Sequence, residues 1–314
     1  MKPVIVLTGP TAVGKTDLSI KLAKLVNGEI ISADSMQVYK EMNIGTAKIT
    51  AKEMQGVRHH LIDILEPDED FNVALFTELA TDAAKNIHDR GKIPVVAGGT
   101  GFYIQAFLKG VNFNDEPENE KECLRLEKIA ESEEGRKQLY DELALVDPEA
   151  AKKIHPNNIK RVIRALSFYK LNGNKISEHN DTEKEKPSRY NSCYFVLTMD
   201  REKLYQRIEK RIDIMVEAGL IEEVKRLYDR GLTEENISMQ GIGYKEILEY
   251  IKGNVTKEEA LYNLRLNTRH FAKRQLTWFR HEKDAIIINK DEFKNDDEIL
   301  LYMEKILRSK GIID

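Results

Sequence analysis

The sequence predicts an α/β fold in which a mostly helical insertion interrupts a parallel sheet core. Short apolar runs alternate with segments of helical periodicity along the N-terminal third of the chain, which is typical of strand–helix–strand units. A charged and polar stretch follows between residues 115 and 190, and a strand-like run then returns. We therefore expect a core of residues 1–114 and 191–314, with residues 115–190 as a helical insertion domain.

The individual elements follow from hydrophobic periodicity. Short apolar, β-branched runs that end at turn residues indicate buried strands, which we predict at residues 4–8, 29–32, 93–97, 194–198 and 285–288. Apolar residues three and four positions apart indicate amphipathic helices, which we predict at residues 15–26, 75–88, 140–172, 204–216, 221–228 and 257–281. The charged, proline-containing segment 178–189 is predicted to be a loop.

Composition limits the class of protein. Of the 314 residues, 41% are apolar and 32% are charged, which is the balance of a soluble globular protein. No apolar stretch approaches the roughly 20 residues that span a bilayer. Cys123 and Cys193, the only cysteines, are expected to be reduced thiols, and they offer no C-x-x-C pair for a structural zinc site. We expect a cytoplasmic monomer that does not bind membranes.

The net charge of −4 argues weakly against nucleic acid as a partner. Because salt screens charges beyond roughly 8 Å, however, the distribution of basic residues matters more than their sum.

The segment directly after the first predicted strand has the pattern G-x-x-x-x-G-K-[ST]. Its residues are Gly9, Pro10, Thr11, Ala12, Val13, Gly14, Lys15 and Thr16. Between a strand and a helix, the backbone N–H groups of such a loop bind an anion, Lys15 reaches the terminal phosphate groups, and the Thr16 hydroxyl is a Mg²⁺ ligand. We call residues 9–16 the phosphate loop. It predicts a phosphate or pyrophosphate site in a P-loop NTPase-like core, and considered alone it suggests ATP.

Nucleotide hydrolysis is not the obvious activity, because an acidic residue is missing. NTPases place an acid that holds Mg²⁺ at the end of a second strand. Here the strand predicted at residues 93–97 is followed by Gly98, Gly99 and Thr100. Asp63 is a weak candidate to replace that acid.

Asp34 follows the second predicted strand. The carboxyl ends of parallel strands face one crevice, so we expect Asp34 beside the phosphate loop. It could cap a helix or act as a general base. Gln37 carries an amide that is able to read the edge of a base, and Thr100 would approach the same crevice from the next strand.

Basic residues concentrate near the C-terminus. Arg265, Arg269 and Lys273 are spaced four residues apart and would share one face of a helix. Aromatic residues, among them Trp278, are interleaved with the basic ones. In a net acidic protein, this density favours contact with a nucleic-acid backbone over a merely solvated face.

Each of three further features has two interpretations. Arg211 could clamp a diphosphate or form a surface salt bridge. The segment 240–245, with Gly241 and Gly243, could be a simple connection or a backbone surface for nucleic acid. A small basic patch in the insertion could bind phosphate or only face solvent; it consists of Lys160, Arg161 and Arg164.

Together these segments resemble the tRNA dimethylallyltransferase family of bacterial type, also called tRNA isopentenyltransferases. The phosphate loop is generic, whereas the Asp-Ser-x-Gln pattern at residues 34–37 and the Lys-Arg-Gln-x-Thr-Trp pattern at residues 273–278 are specific. The similarity extends along nearly the whole chain, through residues 32–39, 59–61, 98–103, 155–157, 240–245 and 273–280.

The resemblance implies a reaction. A dimethylallyl group would pass from dimethylallyl diphosphate to the exocyclic N6 amine of the adenosine just 3′ of the anticodon, in tRNAs that read codons beginning with U. Pyrophosphate would leave with the help of Mg²⁺. Asp34 would be the general base, and Lys15, Thr100 and Arg211 would complete the catalytic set. The base must leave the anticodon-loop stack, and Gln37 would hold it.

The resemblance also implies a surface for the anticodon stem-loop. Its residues would be Asp34, Ser35, Met36, Gln37, Thr100, Arg125, Lys160, Arg161, Arg164, Gln240, Gly241, Gly243, Tyr244, Lys245, Lys273, Arg274, Gln275, Thr277, Trp278 and Arg280. Two positions depart from the family pattern. Lys160 stands where the family often has Gln, and the arginine expected early in the insertion is Arg125 or a close neighbour.

Two other functions are compatible with parts of the sequence. A small-molecule kinase that uses ATP would share the phosphate loop and could use Asp34 as a base, but it leaves the basic C-terminal segment unexplained. An NTP-dependent RNA-binding switch would explain that segment but leaves Asp34 without a role.

Overall fold

The computed structural model describes residues 1–111 and 120–314. They form two compact units, residues 1–108 with 188–314, and residues 109–187. We call the first the sheet unit and the second the helical unit. The helical unit contains most of the residues for which the sequence predicts an insertion.

The sheet unit is built on a six-stranded parallel sheet, which confirms the predicted α/β fold. The strand order is β3-β2-β4-β1-β5-β6. The strands are β1 Pro3–Thr8, β2 Gly28–Ala33, β3 His59–His60, β4 Ile93–Gly98, β5 Asn191–Thr198 and β6 Ala285–Asn289. All five predicted strands are present; β3 was missed because two histidines carry no strand pattern.

Helices make up most of the remainder. They are α1 Lys15–Leu25, α2 Val73–Asp89, α3 Gly101–Lys109, α4 Glu120–Ile129, α5 Glu133–Val146, α6 Pro148–Lys153, α7 Ile159–Asn172, α8 Ile176–Glu185, α9 Arg201–Glu217, α10 Leu220–Asp229, α11 Tyr244–Ile251, α12 Lys257–Phe279 and α13 Asp296–Ser309. Two 3₁₀ helices, Ile237–Gln240 and Lys290–Glu292, precede α11 and α13.

The helical unit corrects two sequence predictions. The helix predicted over residues 140–172 is divided among α5, α6 and α7, because Pro148 starts a new helix and Pro156 lies between the last two. The loop predicted at residues 178–189 was wrong, since α8 covers most of it. The buried carboxylate of Asp147 accepts hydrogen bonds from the backbone N–H and the hydroxyl of Ser177, which holds the start of α8. The charged residues of α8 are mostly exposed, and Pro187 lies beyond its end.

The sheet register explains why the predicted site residues meet. Strand β4 pairs with both β1 and β2, so that Gly98 lies opposite Thr8 on one side and Ala33 on the other. The segments that follow β1, β2 and β4 therefore leave the sheet next to one another. As a result, the phosphate loop, Asp34 and Gly99 lie at the same edge of the sheet.

Each unit has its own apolar core. In the sheet unit the core surrounds the central strand β1, whose Val4, Ile5, Val6 and Leu7 are fully buried. In the helical unit a smaller cluster forms around Leu139 and other buried residues of α4 to α7. Within residues 1–111 and 120–314, we find no helix of the length and apolarity required to traverse a bilayer. Cys123 and Cys193 are free thiols.

Candidate active site

The phosphate loop is shaped by its two glycines. Gly9 (φ 147°) follows β1, and a Cβ there would lie 2.5 Å from the carbonyl oxygen of Leu197 in β5. Gly14 (φ 94°) precedes the first turn of α1 in the left-handed region, where a side chain would be strained. The Lys15 ammonium donates to the carbonyl oxygens of Gly9 (2.9 Å) and Pro10 (2.8 Å), so it lies within the curve of the loop.

A cavity of about 470 Å³, which we call the loop cavity, lies against this loop. Cations line it from two directions. Lys15 comes from the loop, and Arg207, Lys210 and Arg211 come from successive turns of α9. The Arg207 guanidinium is anchored by donating to the carbonyl oxygen of Ala12 at 2.7 Å. This concentration of positive charge suits an anion with more than one phosphate group.

The cations perturb one another. Burial, followed by the charge of Arg211, lowers the pKa of Lys15 to about 7, while the Asp34 carboxylate opposes this shift. Burial also lowers the pKa of Arg211, with a further contribution from Arg207 and an opposing one from Asp34. The cavity therefore holds cations whose charge a bound anion would stabilise.

A second cavity of about 440 Å³, which we call the adjacent cavity, meets the first. Thr11, Asp34, Arg211 and Phe271 line both cavities. The remaining lining of the adjacent cavity comes mainly from the loop after β2, the glycine-containing segment 240–245, α9 and α12, with Thr100 at the start of α3. Asp34 and Arg211 thus stand where a ligand in one cavity would touch a ligand in the other.

The Asp34 side chain caps a turn and also borders both cavities. One carboxylate oxygen accepts hydrogen bonds from the backbone N–H groups of Met36 (2.9 Å) and Gln37 (3.3 Å), as in a capped turn. The carboxylate also borders both cavities. The turn orients the Asp34 side chain. The second carboxylate oxygen of Asp34 forms neither of these two hydrogen bonds.

Gln37 and Thr100 lie on different sides of Asp34. The Gln37 amide nitrogen donates to the carbonyl oxygens of Thr46 (3.2 Å) and Ala47 (3.4 Å), and its side chain lines the loop cavity. Thr100 lines the adjacent cavity at the start of α3. The two side chains thus border different parts of one crevice, because several residues, among them Asp34, line both cavities.

Gln275 of α12 is buried, and its side chain forms hydrogen bonds with the phosphate loop and with the segment after β4. Its amide oxygen accepts from the backbone N–H of Thr11 (2.9 Å), and its amide nitrogen donates to the carbonyl oxygen of Gly99 (3.0 Å). Both polar ends are thus engaged within the sheet unit. The sequence did not predict this internal role.

The basic face of α12 divides into two parts. Arg265 pairs with Asp213 (2.6 Å) and Arg269 pairs with Glu209 (3.0 Å), both on α9, so these arginines join two helices and do not offer free charge to a nucleic acid. Further along, the helix has an open groove, which we call the α12 groove. It is lined by His270, Lys273, Arg274, Thr277, Trp278 and His281.

Arg274 and Trp278 connect this groove to the rest of the site. Arg274 also lines the adjacent cavity, and its guanidinium lies 5.8 Å from the ring centre of Phe271. Trp278 packs so closely on Gly101 that a Cβ there would lie 2.3 Å from the indole ring. Arg280 is separate, since it lines a different groove near the end of β6.

The segment 240–245 lines the adjacent cavity. Gly241 lies against Met36, where a Cβ would be 2.4 Å from the methionine methyl group. The Tyr244 side chain is fully buried, and its hydroxyl donates to Glu223 at 2.7 Å. Gln240 and Lys245 are at the cavity rim, where Lys245 lies 3.6 Å from Glu246. The segment is thus more than a connection, because it forms a cavity wall.

The basic residues of the helical unit have two different environments. Arg125 of α4 is paired with Glu122 at 2.8 Å. The basic patch of α7 is exposed along its first turns, and it consists of Lys160, Arg161 and Arg164.

The oxygen atoms available for a divalent cation are few. Thr16, Asp17 and Asp34 line the loop cavity. Asp63 does not, since it is paired with Lys48, so its suggested role as a metal-binding acid was wrong. Within the described ranges no cluster of three His, Cys, Asp or Glu side chains could hold a metal by itself. Such a sparse oxygen set fits Mg²⁺, which keeps several waters and binds substrate phosphates.

Sequence reasoning missed several cations around the phosphate loop. Arg207 and Lys210 are lining residues, and the spacing of Arg207 and Arg211 on one helix face was the available signal. Lys290, after β6, has its ammonium group 3.0 Å from where a Gly14 Cβ would stand, and it pairs with Asp296 at 2.7 Å. No local pattern points to Lys290.

The chain is similar to known proteins over its full length. The family model described as IPP transferase matches residues 37–282. The chain is 53% identical over 313 residues to the tRNA dimethylallyltransferase of Lachnoclostridium phytofermentans, with 100% of both chains covered. It is 48% identical to the tRNA dimethylallyltransferase of Acetivibrio thermocellus, with 99% of both covered.

Solved structures show the same relationship. The tRNA isopentenylpyrophosphate transferase of Bacillus halodurans superposes with a TM-score of 0.75 at 47% identity, covering 99% of this chain and 97% of that one. A eukaryotic dimethylallyltransferase acting on tRNA superposes with a TM-score of 0.83 at 32% identity, covering 98% of this chain and 80% of that one. The fold is thus shared with both enzymes, and nearly the whole length is shared with the bacterial one.

Proposed function

The chain belongs to the IPP transferase family, and we propose that it transfers a dimethylallyl group from dimethylallyl diphosphate to the N6 amine of an adenosine in tRNA. The acceptor is the adenosine 3′-adjacent to the anticodon, in tRNAs that read codons beginning with U. The enzyme works as a monomer in the cytoplasm. Similarity over the full chain to named tRNA dimethylallyltransferases supports the reaction class.

The observation that carries the proposal is the meeting of two cavities at Asp34 and Arg211. The loop cavity, with its several cations, suits the diphosphate of the donor. The adjacent cavity combines apolar side chains and glycine backbone with polar and charged groups, among them Asp34 and Arg274, and suits a flat base that has left its stack. A donor and an acceptor bound in this way would face each other beside Asp34.

The chemical step requires a leaving group to be stabilised and a proton to be removed. The bond between the allylic carbon and the diphosphate oxygen breaks, and a bond from that carbon to the adenine nitrogen forms. Lys15, Arg207 and Arg211 stabilise the negative charge that develops on pyrophosphate. Asp34 accepts the proton that the amine loses, through the oxygen that its turn leaves available.

Mg²⁺ is the implied cofactor. Thr16 would hold it through its hydroxyl oxygen, with Asp17 close by at the start of α1. When bound, the ion neutralises charge on the departing diphosphate.

The tRNA would lie against the exposed part of α12 and the segment 240–245. Arg274 belongs to both the α12 groove and the adjacent cavity, so it is suited to hold the RNA backbone where the base enters. Lys273 and Trp278 extend this surface with one charge and one aromatic face. The exposed basic patch of α7 offers further phosphate contacts.

The test supplies unmodified tRNA and Mg²⁺ with either labelled dimethylallyl diphosphate or γ-labelled ATP. The proposal predicts that label enters the tRNA from dimethylallyl diphosphate and that no acceptor is labelled from ATP. Phosphate transfer from ATP to a small molecule, without prenyl transfer, would favour the kinase instead.

A further inference from the structure

The carboxylate of Glu223, on α10, is almost completely buried, with the residue 1% exposed. It accepts hydrogen bonds from three consecutive backbone N–H groups, those of Asn43 (2.9 Å), Ile44 (2.9 Å) and Gly45 (3.0 Å). It also accepts from the Tyr244 hydroxyl at 2.7 Å. Four neutral donors therefore converge on one buried charge, an arrangement that is costly to disturb.

One side of this cluster leads towards the loop cavity. The turn at residues 43–45 continues directly into Thr46 and Ala47, whose carbonyl oxygens accept from the Gln37 amide at 3.2 and 3.4 Å. Gln37 lies within the same loop as Asp34 and lines the loop cavity. Glu223 thus holds the turn at residues 43–45, and the residues that follow this turn hold the Gln37 amide.

The other side forms a wall of the adjacent cavity. The Tyr244 ring fills the space beside Gly45, where a Cβ would lie 2.6 Å from the ring carbons. Gly45, Thr46 and Tyr244 all line the adjacent cavity, whereas Glu223 lines neither cavity. Any contact between Glu223 and a substrate would therefore be made through these neighbours.

We propose that Glu223 is a positioning residue that sets the shape of the base-binding cavity by tying the turn at residues 43–45 to Tyr244. This inference rests on the proposed function, in which the adjacent cavity receives the adenine. The phosphate loop and α9, which would bind the diphosphate, are not among the partners of Glu223 named above. Because the cluster reaches the loop cavity only indirectly, through Gln37, loss of Glu223 should affect RNA turnover far more than diphosphate binding.

The substitution Glu223→Gln tests this with little change in shape. It replaces one acceptor oxygen by an amide that donates, so that at least one of the four donors faces another donor. We expect kcat/KM for an anticodon stem-loop to fall about 10- to 100-fold. The Kd for inorganic pyrophosphate should stay within about twofold. Glu222→Gln, at the exposed neighbouring position on α10, is the matched control and should behave as the unsubstituted protein.

Tyr244→Phe provides a second variant if Glu223→Gln does not fold. It removes one of the four donors and keeps the ring beside Gly45. For this variant, kcat/KM for the anticodon stem-loop should fall about 3- to 10-fold. In both variants, amide hydrogen exchange should accelerate at residues 43–45 while exchange in β1 and β4 is unchanged.

The exchange measurement separates this inference from the proposed function. If the unsubstituted protein transfers no prenyl group, the proposed function fails, and localised exchange still reports whether Glu223 holds the turn. The positioning role is overturned if Glu223→Gln leaves kcat/KM for RNA and exchange at residues 43–45 unchanged. It is also overturned if pyrophosphate binding is lost to the same degree as RNA turnover, or exchange accelerates throughout the sheet unit, because the role would then be general stability.

Discussion

The amide oxygen of Gln275 accepts a hydrogen bond from the backbone N–H of Thr11 at 2.9 Å, across 264 residues of sequence. Through this bond the basic helix α12 holds the phosphate loop. The Gln275 amide nitrogen simultaneously reaches the carbonyl oxygen of Gly99 after β4. A single side chain therefore joins the helix that we propose to bind tRNA with two loops that we propose to act in catalysis.

Replacing Gln275 by Met keeps the length of the side chain and removes both hydrogen bonds. Because two partly buried backbone groups lose their partners, we expect the free energy of unfolding to fall by about 1–3 kcal/mol. Pyrophosphate should also bind more weakly, since the loop is no longer held. Denaturant titration and calorimetry measure these effects. Lys273→Met, at an exposed position of the same helix, should leave stability unchanged; an equal loss in both variants would refute the argument.

The lowered pKa of Lys15 predicts a pH dependence of diphosphate binding. With a pKa of about 7 in the empty site, the ammonium group is largely protonated below pH 7 and increasingly neutral above it. A bound diphosphate requires the charged form, so the protein must take up a proton above pH 7. We expect the Kd for pyrophosphate to rise with pH there, by at most about tenfold per unit. Calorimetry in buffers of different ionisation enthalpy measures the proton uptake directly.

Lys15→Arg is the matched variant for this prediction, because arginine stays charged throughout the range. The titration of pyrophosphate itself is common to both proteins and cancels in the ratio of their Kd values. A ratio that does not change between pH 6 and pH 9 would show that Lys15 does not titrate near neutrality.

Asp34→Asn separates the two roles of Asp34. The amide oxygen can still accept from the backbone N–H groups of Met36 and Gln37, so the turn is retained. An amide cannot accept the proton of the attacking amine, and kcat should fall about 10²- to 10⁴-fold. Single-turnover transfer should show this loss of rate. Filter binding should show that the affinity for tRNA is unchanged. If tRNA affinity falls as far as turnover, Asp34 is not the general base.

Arg274 and Arg265 form a matched pair on α12 with different predicted effects. Arg274 lines the α12 groove, whereas Arg265 is engaged with Asp213. Arg274→Ala should weaken tRNA binding and reduce the slope of log Kd against log salt by about one. Arg265→Ala should leave that slope unchanged. The same slope change in both variants would mean that the ion pair does not withdraw Arg265 from the RNA.

Local sequence patterns were sufficient for part of this structure. The phosphate loop, the five longer strands and the position of Asp34 follow from short runs whose geometry depends on neighbouring residues alone. The strand register then places Gly9, Asp34 and Gly99 together, as expected for the carboxyl edge of a parallel sheet.

Other parts depend on packing between distant segments and leave no local signal. Lys290 reaches Gly14 only because β6 joins the sheet beside β5, and Gln275 reaches Thr11 only because α12 lies over the loop. The basic stripe of α12 was overestimated for a related reason. Periodicity placed Arg265 and Arg269 on one face but could not indicate that α9 supplies carboxylates to that face.

The atom that receives the prenyl group is the most direct test of the account. An unmodified anticodon stem-loop is incubated with the protein, Mg²⁺ and dimethylallyl diphosphate, and its nucleosides are analysed by mass spectrometry. We predict one five-carbon group on N6 of the adenosine 3′-adjacent to the anticodon, with one pyrophosphate released per group, and no product when inosine replaces that adenosine. Transfer to a different atom, or no transfer to any tRNA that carries this adenosine, would contradict the proposed function.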